Sequence, residues 1–309
     1  MIIKKYDKND FIIWNEFNKK SKNGLFMFDR NYMDYHSDRF IDHSLMFYED
    51  EKLLALLPLN EKNGILYSHQ GLTFGGFICD GKMQQNKMLE CFDILLDYMK
   101  DNAFTKLIYK SVPYIYHKKA SQEDLYALFI NEAKLYRVDS SSVIYLDDYK
   151  FTKGRKYQIS KAIKENIKIE ESNDYKGFVK LLNEVLLKQH NAKAVHNANE
   201  LILLHSKFPE NIKLFVAKKE EDIVAATLLF IYENLVHTQY LANSDYGREY
   251  GALDLLLKTL IEKYSKDKKY FDFGISNENN GLYLNQGLIF QKESFGARTM
   301  VHNIYKLHF

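Results

Sequence analysis

"SDYGREYGALDLLLKTLIEKY", residues 244–264, sets two glycines and an arginine directly before a strongly apolar helical pattern. Leu253, Leu256, Leu257, Leu260 and Tyr264 recur at helical spacing and predict one face pressed into a core. Gly247 and Gly251 permit a bend in which backbone N–H groups turn outward, because no Cβ obstructs them. The first turn of a helix leaves its N–H groups unpaired at the positive end of the dipole, so it suits a phosphate. Arg248 would add a guanidinium fork for a further oxygen. The same residues also read as a plain turn, with Ser244 or Asp245 capping the helix and Arg248 solvated. Taken alone, the stretch leaves both readings open.

The flanking sequence predicts a layout. Before it, "IKLFVAKK" (212–219) and "IVAATLLFIYENLVHTQYLAN" (223–243), the latter broken by a turn at Glu233-Asn234, make a three-stranded meander. After it come the strand "KKYFDFGI" (268–275), an Asn-rich segment with a short helix, and a last strand "TMVHNIYKL" (299–307). Upstream lie a basic helix near residues 155–165 and an amphipathic helix near 175–189. The first half repeats this order without evident residue identity: a helix over 10–20, hairpin strands, a glycine-bearing stretch "YSHQGLTFGGFIC" (67–79), a long amphipathic helix over 84–100, a strand, a short helix and the strand "SSVIYL" (141–146). The expected class is mixed α+β. "DDYKFTKG" (147–154) marks the expected boundary, giving domains 1–150 and 151–309.

Composition narrows the class. With 309 residues, 46% apolar and only 3 prolines, the chain has ample material for two cores and little for disorder. A formal charge of +2 excludes a globally electrostatic nucleic-acid binder, so such a role needs a local patch. Residues 150–168 supply one candidate, with seven basic residues and a single acid, Glu165. Cys79 and Cys91 stand alone, as in a reducing compartment, and the amino-terminal stretch has no signal-peptide pattern. No apolar run approaches the ~18 residues that span a bilayer. A cytoplasmic protein is the expectation.

Three motifs carry a resemblance. The order strand, glycine turn, helix, strand, then Tyr283 and Gly287 in a Y-x-x-x-G-aliphatic segment resembles the acyl-CoA-binding half of the GNAT acyltransferase superfamily. The superfamily turn is [Q/R]-x-x-G-x-[G/A]; Arg248 and Gly251 match it, whereas Leu253 stands where a small residue is usual. "GRKYQISKAIKENIKIEES" (154–172) looks like the opening of the second domain of FemAB-like proteins, which are tandem GNAT domains, and "QKESFGA" (291–297) looks like a motif near their end. The similarity covers residues 150–309 well and the first half in layout only. It implies two GNAT-like domains, each a mostly antiparallel mixed sheet flanked by helices.

The resemblance also implies site residues. Acetyl-CoA or another acyl-CoA would be the cosubstrate, held by Gly247, Arg248, Glu249, Tyr250, Gly251 and Ala252, by backbone N–H near Leu241 and Ala242 on a splayed strand, and by Asn279. Tyr283 matches the position that donates a proton to the leaving thiolate; a phenol near pKa ~10 suits that transfer. His237, Asp272 and Glu278 are candidate bases, His237 being the one that titrates near neutrality. His69 and Gly71, together with His190, Asp272 and Lys292, are expected on the acceptor side. His190, His196 and His205, separated by six and nine, fit no common metal-ligand pair, so no metal is expected. The implied activity is N-acyl transfer to a small amine, such as an amino-sugar nucleotide or related surface-glycan precursor. Two alternatives stay open: a FemAB-type transferase moving an aminoacyl group from tRNA to a peptidoglycan precursor, and a non-catalytic GNAT-like scaffold.

Overall fold

A computed structural model describes residues 1–308 and, at positions 189 and 190, the backbone alone. The chain divides into two compact units, Met1–Asp139 together with the closing residues from Val301, and Ser140–Met300. The second run thus begins before the expected boundary at 150/151. The reason is strand pairing: Ser141, Val143, Ile144 and Tyr145 pair with the strand Tyr270–Ile275 of the second unit, while Leu307 and its neighbours pair inside the first.

In the first unit, β1 (Ile2–Lys5) precedes α1 (Phe11–Lys20), α2 (Arg30–Met33) and the two-residue β2 (Ile41–Asp42). The predicted hairpin is β3 (Leu45–Glu49) with β4 (Lys52–Leu57); a second hairpin follows, β5 (Asn60–Lys62) with β6 (Ile65–Tyr67). Next come β7 (Ile78–Cys79), α3 (Gln85–Asp101), β8 (Lys106–Lys110), α4 (Glu123–Ile130) and β9 (Lys134–Tyr145). One antiparallel sheet runs β1-β3-β4-β7. Beside α3, β8 belongs to a different sheet, with β6 parallel to it on one side. Met88, Phe92, Leu95 and Met99 of α3 carry the expected apolar face into a core with Phe47, Leu57, Phe77 and Tyr109.

In the second unit, α5 (Lys153–Lys164), β10 (Lys168–Ser172), α6 (Tyr175–His190) and α7 (Ala198–Lys207) lead into the meander β11 (Ile212–Lys219), β12 (Asp222–Ile231) and β13 (Leu235–Asn243). Side chains cap these helices where the sequence offers them: Thr152 for α5, Asp174 for α6, and Asn197 with Glu200 as a capping box for α7. Residues 244–264 form two helices, α8 (Asp245–Tyr250) and α9 (Ala252–Tyr264), not one bend and one helix. Gly251 joins them with φ of 72°, a conformation in which glycine has no Cβ penalty. β14 (Tyr270–Ile275), the ribbon β15 (Asn277–Glu278) with β16 (Tyr283–Leu284), α10 (Gln286–Glu293) and β17 (Arg298–His308) close the chain. The sheet order β10-β11-β12-β13-β14-β9 is antiparallel except for β13 and β14, which run parallel. Against one face α9 buries Leu253, Leu256, Leu257, Leu260 and Tyr264 on Phe215, Val236, Phe271 and Phe273, as the periodicity predicted.

Candidate active site at the fork of two parallel strands

β13 and β14 pair over three rungs, Leu235 with Tyr270, Val236 with Phe271 and His237 with Asp272. Both strands then continue, to Asn243 and Ile275, without further mutual pairing. Each carries an irregularity just beyond the last rung. On β13, Leu228 faces Tyr240 while Leu229 faces Thr238, so Gln239 is an extra residue. On β14 the register to β9 shifts between Asp272 and Ile275, where Gly274 takes φ of 73°. Bulges of this kind bend a strand away from its neighbour. The result is a fork with His237 and Asp272 at its base.

His237 Nδ1 lies 2.9 Å from Asp272 Oδ2. Asp272 is fully buried, and its other oxygen accepts from Ser141 Oγ at 2.7 Å and from the Gly274 N–H at 2.8 Å. A carboxylate only accepts, so Nδ1 carries a proton, and in the neutral ring Nε2 then has the lone pair. Nε2 makes no hydrogen bond among the described residues. A buried carboxylate orienting one imidazole nitrogen, with the other available, is the arrangement a general base requires. Gly274 gives the ring room, since a Cβ there would lie 3.1 Å from His237 Cε1. Asp272, expected on the acceptor side, is fully buried, and its carboxylate meets His237 instead of the surface.

Backbone direction separates the two expected carbonyl-polarising donors. The Ser244 N–H donates to Val224 O at 2.9 Å. Antiparallel alternation therefore turns Ala242 toward β12 and Leu241 toward the opening. Ala242 is corrected to a ladder residue; Leu241 keeps a backbone face on the fork.

Lys292 is also corrected. It is 5% exposed, and its Nζ donates to Gly274 O at 2.8 Å and Ile275 O at 2.7 Å. It ties down the departing end of β14 rather than facing an acceptor. Burial lowers its pKa to about 8, with the Asp272 charge opposing that shift.

The glycine turn is filled by the protein itself. A Cβ on Gly247 would lie 2.3 Å from Asn243 Oδ1 and 2.4 Å from Val224 O, and one on Gly251 would lie 2.4 Å from Gln158 O of α5. Both glycines thus serve close packing of α8 on the sheet and of α9 on α5. Ala252, Leu253 and Asp254 are buried. Asp254 accepts from Arg155 Nη1 at 2.6 Å, and Arg155 also reaches Ser294 Oγ at 2.6 Å and lies over the Phe295 ring. The three motif segments meet in that bridge. Lys161 donates to Glu249 O and lies over Tyr250, which stacks on Tyr246. Ser244 caps α8 through the Gly247 N–H at 2.9 Å, and Arg248 turns to Asn243 O at 3.0 Å. Gly247, Gly251 and Ala252 are thus packing positions, and Glu249 and Tyr250 contact α5 through Lys161.

Tyr283 and Asn279 lie on the β15–β16 ribbon, both exposed, Asn279 at its tip. Glu278 pairs with the Asn285 amide at 2.7 Å within that ribbon. His196 and His205 are structural, bonded to Tyr240 OH at 2.6 Å and to Ile212 O at 2.8 Å. The side chain of His190 lies outside the described residues.

In the first unit, His69 is 3% exposed and its ring stacks on His36; burial and the nearby His36 and Lys110 charges push its pKa down to about 3. A Cβ on Gly71 would lie 2.5 Å from His36 Nε2. His69 is thus buried and Gly71 half-buried, both packed against His36. Residues 68–77 precede β7 rather than linking a strand to the long helix, and they pack along β8, with the Gly75 N–H on Lys110 O and Ser68 Oγ accepting from the Lys110 N–H.

No family model and no curated protein matches the sequence. Solved structures do. FemX matches with a TM-score of 0.71 at 12% identity, over 100% of this chain and 98% of that one. L-PGS from Bacillus licheniformis matches at 0.66 and 13% identity, over 100% and 93%. A tandem GNAT protein from the clavulanic acid biosynthesis pathway matches at 0.53 and 8% identity, over 99% and 98%. The chain therefore has the mixed α/β tandem GNAT fold of the FemX-like proteins, as the resemblance implied.

Proposed function

We propose that this protein is an acyltransferase that passes an acyl group from an activated ester to an amine at the fork of β13 and β14. The observation that carries the reading is the His237–Asp272 pair on the last shared rung. The amine must lose a proton to become or remain nucleophilic; His237 Nε2 accepts it while Asp272 holds the Nδ1 proton and balances the imidazolium charge. The Leu241 N–H is the backbone donor placed to polarise the acyl carbonyl, a contribution that is typically worth a few kcal/mol. Tyr283 remains the proposed proton donor to the leaving group, on the strength of its motif.

For the donor, the FemAB-type reading is favoured: an aminoacyl ester of tRNA rather than acyl-CoA, with an amine of a peptidoglycan precursor as acceptor. Its support is α5. The backbone of this helix lies against Gly251, and the helix presents Lys153, Lys156 and Lys164 outward, with Lys150 and Lys168 at its flanks, all exposed. A polyanionic ligand suits that face better than a single small nucleotide.

Filter binding of a mixed aminoacyl-tRNA pool across a salt series tests this. Binding that weakens steeply with salt, and a Lys153→Glu/Lys156→Glu variant with a shallower slope, support it. Stabilisation by millimolar acetyl-CoA with no tRNA binding would return the donor to acyl-CoA.

A further inference from the structure

We infer that Ser141 is a positioning residue of the reaction, acting on His237 through Asp272. The inference rests on the reading of His237 as the base. Ser141 is fully buried on β9, two residues from Val143, the partner of Asp272 across the β9–β14 ladder. Regular pairing would set Ser141 opposite Gly274. The shift between Asp272 and Ile275 instead brings Ser141 opposite Ile275 and lets its hydroxyl reach back to Asp272 Oδ1 at 2.7 Å.

Among the donors to this carboxylate, Ser141 Oγ and Gly274 N–H meet Oδ1, and His237 Nδ1 meets Oδ2. The Gly274 N–H lies on the same strand, two residues away, and restrains the carboxylate from that strand only. Ser141 comes from a different strand, so it fixes the plane from a second side. With both, Oδ2 is aimed at Nδ1 and one imidazole tautomer is selected. Without the hydroxyl, the Asp272 plane rotates and the imidazole loses its single orientation.

Ser141→Ala removes one hydroxyl and no volume that a neighbour must fill. The test has two readouts on the full chain. Nitrogen-15 NMR of histidine-labelled protein is expected to show His237 as the Nδ1–H tautomer, with a slowly exchanging Nδ1 proton, and Ser141→Ala to show mixed tautomers with faster exchange. Under turnover conditions kcat should fall about tenfold or more with KM unchanged, as for loss of one hydrogen bond to a charged group. A folded Ser141→Ala protein with the wild-type tautomer and exchange rate would overturn the inference. The NMR readout needs no substrate. Changed tautomers with no turnover of any donor by the wild type would leave Ser141's role standing and sink the proposed reaction instead.

Discussion

His237 and Asp272 face one another across the last rung that β13 and β14 share, 2.9 Å apart, and beyond them the two strands part. The pair therefore sits where a ligand can reach backbone that elsewhere in the sheet is bonded away. That coincidence of an oriented imidazole with a gap in the ladder is what supports the proposed site at the fork.

Replacing His237 with Ala should lower kcat by about 10²–10⁴-fold, the usual range for a general base, and should cost about 1–3 kcal/mol of stability, because the side chain is only 11% exposed and its loss takes the Nδ1 donor from buried Asp272. Asp272→Asn should fall in the same range by presenting an amide donor to Nδ1. Asp272→Ala should in addition destabilise the fold by about 2–3 kcal/mol, since it strands the buried Ser141 hydroxyl and the Gly274 N–H. Urea unfolding beside steady-state rates separates the two effects.

Two glycines near the α5–α9 seam should respond in opposite senses to alanine. Gly251→Ala meets both a positive φ and the Gln158 carbonyl, so it should cost about 1–3 kcal/mol. Gly154→Ala, in the first turn of α5 with open space around it, should be neutral or stabilise by up to about 1 kcal/mol. Equal losses at both positions would contradict the packing described for Gly251.

Arg155 should matter for folding more than for chemistry. Its removal leaves Asp254 buried without its cation and also ends the Ser294 contact. Arg155→Ala should therefore destabilise by about 2–4 kcal/mol, and the double variant Arg155→Met/Asp254→Leu should recover part of it. Denaturant midpoints of the four members of that cycle measure the coupling.

Stability should depend on pH through two buried groups with depressed pKa values. His69 titrates near 3 when folded and near 6.5 when unfolded, so the unfolded chain binds more protons between those values. Its contribution is complete above pH 6.5 and is lost as pH falls toward 3; His69→Phe, which keeps a ring beside His36, should flatten that loss. Lys292 titrates near 8 when folded against 10.5 unfolded. Again the unfolded chain binds the extra proton, so stability relative to Lys292→Met should rise from about pH 8 to 10.5. Thermal midpoints across the two windows check both signs.

Much of the architecture was legible because its causes are local. Leu253 to Tyr264 announced the buried face of α9, and Met88 to Met99 that of α3, through spacing alone. Ser244 was recognisable as a cap because capping needs only the next three residues. The glycines were another matter. Gly247 and Gly251 read equally well as a phosphate cradle, since the space a Cβ would take is filled by Val224 and Asn243 at the first and by the backbone of Gln158, more than ninety residues earlier, at the second. The division of the chain depended likewise on which distant strand Ser141–Tyr145 joined, a choice that no local pattern records.

The sequence by itself determined the elements, their buried faces, and the residue types able to do chemistry, His237 and Asp272 among them. Tertiary structure alone decided their relation. A parallel register between strands thirty-five residues apart set His237 beside Asp272, and a shift in a second ladder brought Ser141 to the same carboxylate. Periodicity is a property of neighbours along the chain. An oriented proton acceptor is a property of neighbours in space, and here three strands had to supply it.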